Sequence, residues 1–158
     1  MRRIAKSTVA LTKQHLTTAE AYAECKPSEV TETYWISAFR KSGSYPKATE
    51  RSGKWLLFVP IEEIDEIWAR IKTATEDGKL GDCSKVATMR PNPNAANPRT
   101  KVICVYTYDS EDETDVRRVR QVLRELGFIN RLPYKTDADT YEGRYAHRGD
   151  RRISRYYE

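Results

Sequence analysis

Twice in this chain a strand-length run is followed at once by a capped helix pattern that is apolar on one side only. That pairing restricts the possible folds more than any other feature. The first run is Lys54–Val59, built of β-branched, aromatic and leucine residues. Pro60 then suits the first position of a helix, where its missing N–H costs nothing. Ile64, Ile67, Trp68 and Ile71 stand at i, i+3, i+4 and i+7, one apolar stripe, and Gly78 ends it as a left-handed C-terminal residue. The second run, Lys101–Tyr108, is the clearest strand in the chain. Ser110 and Glu113 behind it form an S-x-x-E capping box, Val116, Val119, Leu123 and Leu126 make a second stripe, and Gly127 closes it. A helix that is apolar along one stripe has to bury that stripe against another element.

Three shorter runs supply the rest of a sheet: Thr33–Phe39, Ser84–Met89 and Leu132–Lys135. The order β, β, α, β, β, α, β predicts an α+β domain, a mainly antiparallel sheet with both helices on one face. The opposite face is then free for a ligand. Ser42–Gly53 and Arg90–Thr100 read as loops, the latter with three prolines and three asparagines, and Thr136–Gly143 reads as a polar connection. Thr8–Cys25 reads as a helix ended by Pro27. Residues 1–49 are expected to be an N-terminal extension packed on a domain of residues 50–158.

At 158 residues the chain is one domain's worth, with 39% apolar and 32% charged residues. Its longest apolar stretches, Trp55–Val59 and Val102–Tyr106, are strand length, far short of the roughly 18 residues of a membrane span. A collagen, a coiled coil and a disulfide-stapled mini-protein are also excluded. Cys25, Cys83 and Cys104 are odd in number and contain no C-x-x-C, which argues against a disulfide framework and a structural zinc site. Free thiols fit a reducing compartment. The first acidic residue is Glu20, so the N-terminus has the composition of a transit peptide, but it lacks a secretory apolar segment. It is read as an arm or helix, and the cytoplasm as the location.

Of the net charge of +5, residues 144–158 hold +3, five arginines against Asp150 and Glu158. That concentration favours an anionic partner, although a solvated basic tail gives the same pattern. Strand alternation sorts the remaining candidates. Ile103, Val105 and Val86 fit the helix-covered face, which leaves Cys104, Tyr106, Tyr108 and Lys85 on the open one. A one-residue slip would exchange the faces. Trp68 and Trp55 are core residues by pattern, and Trp35, beside Arg40 and Lys41, is the tryptophan placed to stack on a ligand. Aromatic faces stack on bases and cationic side chains match phosphate, but tyrosines on a sheet face are also ordinary cross-strand packing.

Several chemistries fail on inspection. Asp109–Asp115 has the acids of a calcium loop, yet it lacks glycine at the sixth place and has Arg120 at the twelfth. Those acids suit a helix N-terminus instead. There is no GxxxxGK, GxGxxG, HExxH or G-x-S-x-G. Histidine is limited to His15 and His147, and His147, among the arginines, is the candidate general acid.

Blocks of residues then carry a family resemblance. Gly53–Val59, Trp68 with Ala74–Gly81, Ser84–Thr88, Arg90–Asn94, Lys101–Asp109, Leu123–Gly127, Pro133–Thr140, Gly143–Tyr145 and Arg155–Glu158 together resemble the Bles03 family, named for a basophilic leukemia-expressed protein. The resemblance covers about residues 50–158. It implies a curved antiparallel sheet with helices on the convex side, similar to the cap-binding translation initiation factor 4E. Such factors clamp a methylated guanine between two loop tryptophans with an acid beneath; here Trp35 is the single loop candidate. Members are also sometimes labelled phosphothreonine lyases. That chemistry would ask for a lysine base from Lys85, Lys101 or Lys135, His147 as acid, and Arg90, Arg144 or Arg148 as phosphate clamps.

The function expected from this reading is binding of a phosphorylated ligand, a nucleotide or RNA element, between the Arg90–Asn94 loop, the Tyr134–Lys135 segment and the arginine tail. Lys85, Arg90, Lys101, Lys135, Arg144 and Arg148 would neutralise phosphate. Trp35, Tyr106, Tyr108 and Tyr134 are the aromatic candidates, and Asn92 and Asn94 would read polar edges. A lyase acting on a phosphorylated substrate and a basic protein-interaction module are the alternatives. No cofactor, metal or membrane is implied.

Overall fold

The computed structural model describes residues 21–93, 95, 97–141 and 155–158. The strands are β1 (Trp35–Phe39), β2 (Gly53–Pro60), β3 (Cys83–Ala87), β4 (Thr100–Thr107), β5 (Pro133–Thr136) and β6 (Tyr156–Tyr157). The helices are α1 (Ile64–Glu76), α2 (Glu113–Glu125) and the short α3 (Asp137–Tyr141). The strands form one curved, antiparallel sheet in the order β1-β3-β4-β2-β5-β6. It is the α+β architecture that the order of apolar patterns predicts. Among the described residues no helix is long and apolar enough to cross a membrane.

The core lies between one face of the sheet and the stripes of α1 and α2. Ile64, Trp68 and Ile71 from α1 and Val116, Val119 and Leu123 from α2 are buried against Ile36, Trp55, Leu57, Val86, Ile103 and Val105. Burying side chains of this size contributes roughly 1.5–3 kcal/mol each. Polar atoms that enter the core are matched, with the exception of Trp68 Nε1 among the described residues. Trp55 Nε1–H donates to the Val116 carbonyl at 3.0 Å, and the Tyr134 and Thr107 hydroxyls share a hydrogen bond of 2.7 Å. Tyr134 meets Trp55 edge to face at 5.2 Å. Gly53 makes room for that tyrosine, since a Cβ there would lie 2.4 Å from its hydroxyl. Arg120 is buried in α2 and donates to the carbonyls of Phe128, Asn130 and Glu158 at 2.8, 2.6 and 2.7 Å. It therefore binds the turn after α2 to the end of β6.

The termini of the elements differ from the sequence reading, for local reasons. Pro60 is the last residue of β2, because Ile61 N–H donates to the Arg99 carbonyl and extends the ladder past it; a short 3-10 turn precedes α1. The cap of α2 is Asp112, whose carboxylate accepts from Asp115 N–H at 3.1 Å, and not the Ser110–Glu113 box. Gly78 and Gly127 do end their helices at φ 77° and 103°. The Thr136–Gly143 connection contains α3, with the Thr136 hydroxyl accepting from Asp139 N–H at 3.2 Å. Tyr156–Tyr157, read as part of a basic tail, adds a strand to β5. The helix expected over Thr8–Cys25 falls mostly outside the described residues.

Asp109, the first acid of the failed calcium loop, has a structural role. It receives Arg51 Nη2 at 2.6 Å, Glu111 N–H at 2.9 Å and the Thr49 hydroxyl at 3.1 Å. The hydrogen bond from Arg51 holds its carboxyl down to about 2, against roughly 3.9 in an unfolded chain. A carboxyl depressed by folding contributes stability above the unfolded value and loses it as pH falls through the folded one. Urea midpoints are therefore expected to drop between about pH 4 and pH 2, and Asp109→Asn should flatten that part of the curve.

Candidate functional site

The face of the sheet away from the helices floors a cleft of about 590 Å³. Its floor follows from register, because every second residue of a strand points the same way. On β2 the outward residues are Lys54, Leu56 and Phe58, and they pair with Tyr106, Cys104 and Val102 of β4. Lys85 of β3 stands opposite Cys104, Trp35 of β1 opposite Ala87, and Lys135 of β5 opposite Lys54. The segment after β3 and the start of β4 form the mouth, with Arg90, Asn92, Pro93, Ala95 and Lys101.

The electrostatics are one-sided. Lys54, Lys85, Arg90, Lys101 and Lys135 line the cleft, and among the described residues no carboxylate does. Lys54 and Lys135 are only 5% and 4% exposed. Lys54 Nζ donates to Asp137 Oδ1 at 2.6 Å and to the Thr140 hydroxyl at 2.7 Å, while Asp137 Oδ2 accepts from the Ser52 hydroxyl at 2.6 Å. Lys85 Nζ sits 3.9 Å from the centre of the Trp35 ring and 5.8 Å from that of Tyr106, and Lys54 Nζ is also 5.8 Å from Tyr106. Burial, with a smaller push from the Lys54 charge, lowers the Lys85 ammonium below the usual lysine value. Burial pushes the Cys104 and Cys83 thiols up to about 11. They are protonated at neutral pH and are not nucleophiles. Among the described residues no group of histidines, cysteines and acids is placed to hold a metal ion.

Of the side chains singled out from sequence, Trp35, Lys85, Arg90, Asn92, Lys101 and Lys135 line this cleft. Tyr106 lies on the same open face, between the two lysines. Two candidates are displaced. Tyr134 is fully buried on the helix side, because β5 puts Lys135 outward and Tyr134 inward. Tyr108 lies past the end of β4, where its hydroxyl donates to the Asp112 cap and its ring packs edge-on against Tyr45. Asn94, Arg144, His147 and Arg148 lie outside the described residues. Lys54, Leu56, Phe58 and Thr140 were not anticipated. For Lys54 the signal was present: it precedes Trp55, and a buried Trp55 turns Lys54 to the other face.

Comparison with known proteins bears on the family and the fold. Residues 46–143 match the family model described as basophilic leukemia-expressed protein Bles03. A schistosome eIF4E solved with m7GpppG and 4E-BP superposes with a TM-score of 0.58 at 14% identity, covering 96% of this chain and 80% of that one. Ascaris suum eIF4E-3 solved with an m7G cap gives 0.51 at 16% identity, covering 96% and 78%. At these identities the likeness is one of fold.

Breaking the Lys54–Asp137 pair from one side leaves a buried charge without its partner, a loss of about 3 kcal/mol. Lys54→Met is expected to lower unfolding stability by that order, and the double variant with Asp137→Leu to recover most of it. A double-mutant cycle in urea measures the coupling.

Proposed function

The chain belongs to the Bles03 family, and from the cleft on its open sheet face we propose that it binds a phosphorylated ligand, a nucleotide or RNA element. The observation that carries this is the lining: five cationic side chains, two of them almost fully buried, with no carboxylate among the described lining residues. Lys54 is paired with Asp137, but the Lys85 ammonium lies half-buried within reach of the Lys54 charge, and a bound anion favours it. Phosphate oxygens accept several charge-assisted hydrogen bonds at once. The apolar strip of Leu56, Phe58 and Val102 beside Trp35 suits a base or another flat group.

The lining argues for a different ligand from the caps bound in the eIF4E structures. A methylated guanine is a cationic ring. All three tryptophans of this chain are described, and Trp55 and Trp68 are core residues, so Trp35 has no tryptophan partner for a clamp. A cationic ring among cations, with no carboxylate among the described lining residues, is disfavoured. A neutral base bearing phosphates is the better match.

A second reading has its own observation. Burial lowers the Lys85 ammonium, as a general base requires. In a lyase its Nζ would take the α-proton of a phosphothreonine residue as the C–O bond breaks, leaving an alkene and free phosphate. Phosphate release from a phosphothreonine peptide, lost in Lys85→Ala, tests it.

For the binding reading, thermal shift across ATP, GTP, m7GTP and inorganic tripolyphosphate is the direct measurement. Unmethylated triphosphates are expected to raise the melting temperature more than m7GTP. Lys85→Ala should weaken their binding about tenfold or more, the scale of one charge-assisted hydrogen bond. Affinity should fall as pH rises through the lowered Lys85 value, since the anion favours the protonated amine. No shift with any of these ligands would refute the reading.

A further inference from the structure

The cleft is not uniform along the strands. At one end Lys135, Lys54 and Tyr106 form a row, and the Lys85–Cys104–Leu56 row follows. The next row is apolar and aromatic, Phe58 opposite Val102 and Ala87 opposite Trp35, with Arg90 and Lys101 beyond it at the mouth. Phe58 is four steps along β2 from Lys54, about 13 Å at roughly 3.3 Å per residue. The end with Lys54 and Lys135 is the closed one. Lys54, Cys104 and Lys135 are 5%, 4% and 4% exposed, and α3 lies over that end with Asp137 and Thr140 on the Lys54 ammonium. Phe58 at the other end is 61% exposed.

We infer that the ligand is a free nucleoside polyphosphate held end-on, with its terminal phosphate monoester at Lys54 and Lys135, its inner phosphates at Lys85, whose ammonium lies 3.9 Å from the Trp35 ring, and its base at Phe58 and Val102. The inference rests on the reading of the cleft as a phosphorylated-ligand site and gives that ligand a class and a direction. An internal phosphodiester has chain on both sides and would need a groove open at both ends. A closed end with buried ammonium groups admits a chain terminus only. A terminal phosphate presents three oxygens, and the site offers donors in several directions. An ammonium has three N–H donors, of which Asp137 and Thr140 take two on Lys54. The other oxygen of Asp137 accepts from the Ser52 hydroxyl. The span between the two ends asks for more than one phosphate between base and terminus. A volume of about 590 Å³ matches one small ligand rather than a run of nucleotides.

Calorimetric titration of the full chain separates the possibilities. The ligands are ATP, GTP, guanosine, inorganic tripolyphosphate, the dinucleotide GpppG whose terminal phosphate is blocked, and a 5′-hydroxyl and a 5′-triphosphate oligoribonucleotide. The triphosphates are expected to bind at least tenfold more tightly than GpppG, guanosine or the 5′-hydroxyl oligonucleotide. Phe58→Ala, at an exposed position that the core does not use, is expected to weaken triphosphate binding more than tripolyphosphate binding. Lys85→Ala should weaken both. Equal binding of GpppG or of 5′-hydroxyl RNA overturns end-on capture while the phosphorylated-ligand reading stands. Tighter binding of the 5′-triphosphate oligonucleotide than of free triphosphates assigns the site to an RNA end and overturns the small-molecule ligand. Equal loss of both ligands in Phe58→Ala overturns the base position. Failure of every anion, tripolyphosphate included, removes the underlying reading as well.

Discussion

The pairing of β2 with β4 runs without a slip from Gly53 opposite Thr107 to Pro60 opposite Thr100, and both the core and the cleft depend on it. Because side chains alternate, one register sends Trp55, Leu57, Ile103 and Val105 to the helices and Lys54, Leu56, Cys104 and Tyr106 to the other face. A shift of a single residue would drive lysine into the core and tryptophan into the cleft. The register is secured on both sides of the sheet. Gly53 lets Tyr134 close over β2, Trp55 donates to α2, and Lys54 is held by α3. The contacts that stabilise the fold are thus the same ones that aim the cationic residues.

Buried charge in this molecule falls into two kinds. Arg120 and Asp109 are surrounded by partners that match their donors and acceptors. They join segments distant in sequence and leave little unsatisfied. Lys85 in the cleft is of the other kind. Lys85 lies against aromatic faces and near a second ammonium, an arrangement that lowers its charged form. Sites that depart from local comfort in this way are where binding and catalysis are found. The contrast between the two kinds supports the proposed binding face without recourse to the fold likeness.

Much of this was legible in the chain. The two stripes Ile64–Ile71 and Val116–Leu126 announced their helices, and the alternation in Lys101–Tyr108 placed Ile103 and Val105 inward and Cys104 and Tyr106 outward. Those patterns repeat within a few residues and are enforced by burial, so local sequence carries them. Tyr134 and Tyr108 were less legible. Tyr134 faces inward because β5 takes its phase from β2 across the sheet, and Tyr108 stands where β4 has already ended. The cap of α2 shifted for a similar reason: Asp112 and Ser110 are both good caps, and the Tyr108 hydroxyl donating to Asp112 accompanies the one used.

By itself the sequence determined the class of fold, the two apolar faces and an excess of cationic and aromatic residues, because each depends on spacing and residue type alone. Tertiary structure decided which of those residues meet. Lys54, Lys85 and Lys135 belong to three strands whose neighbours in the sheet are not their neighbours in the chain. Their convergence, the closure of one end by α3 and the apolar row at the other are products of strand order and register. A chain of alternating residues does not encode across-sheet adjacency until the strands have paired.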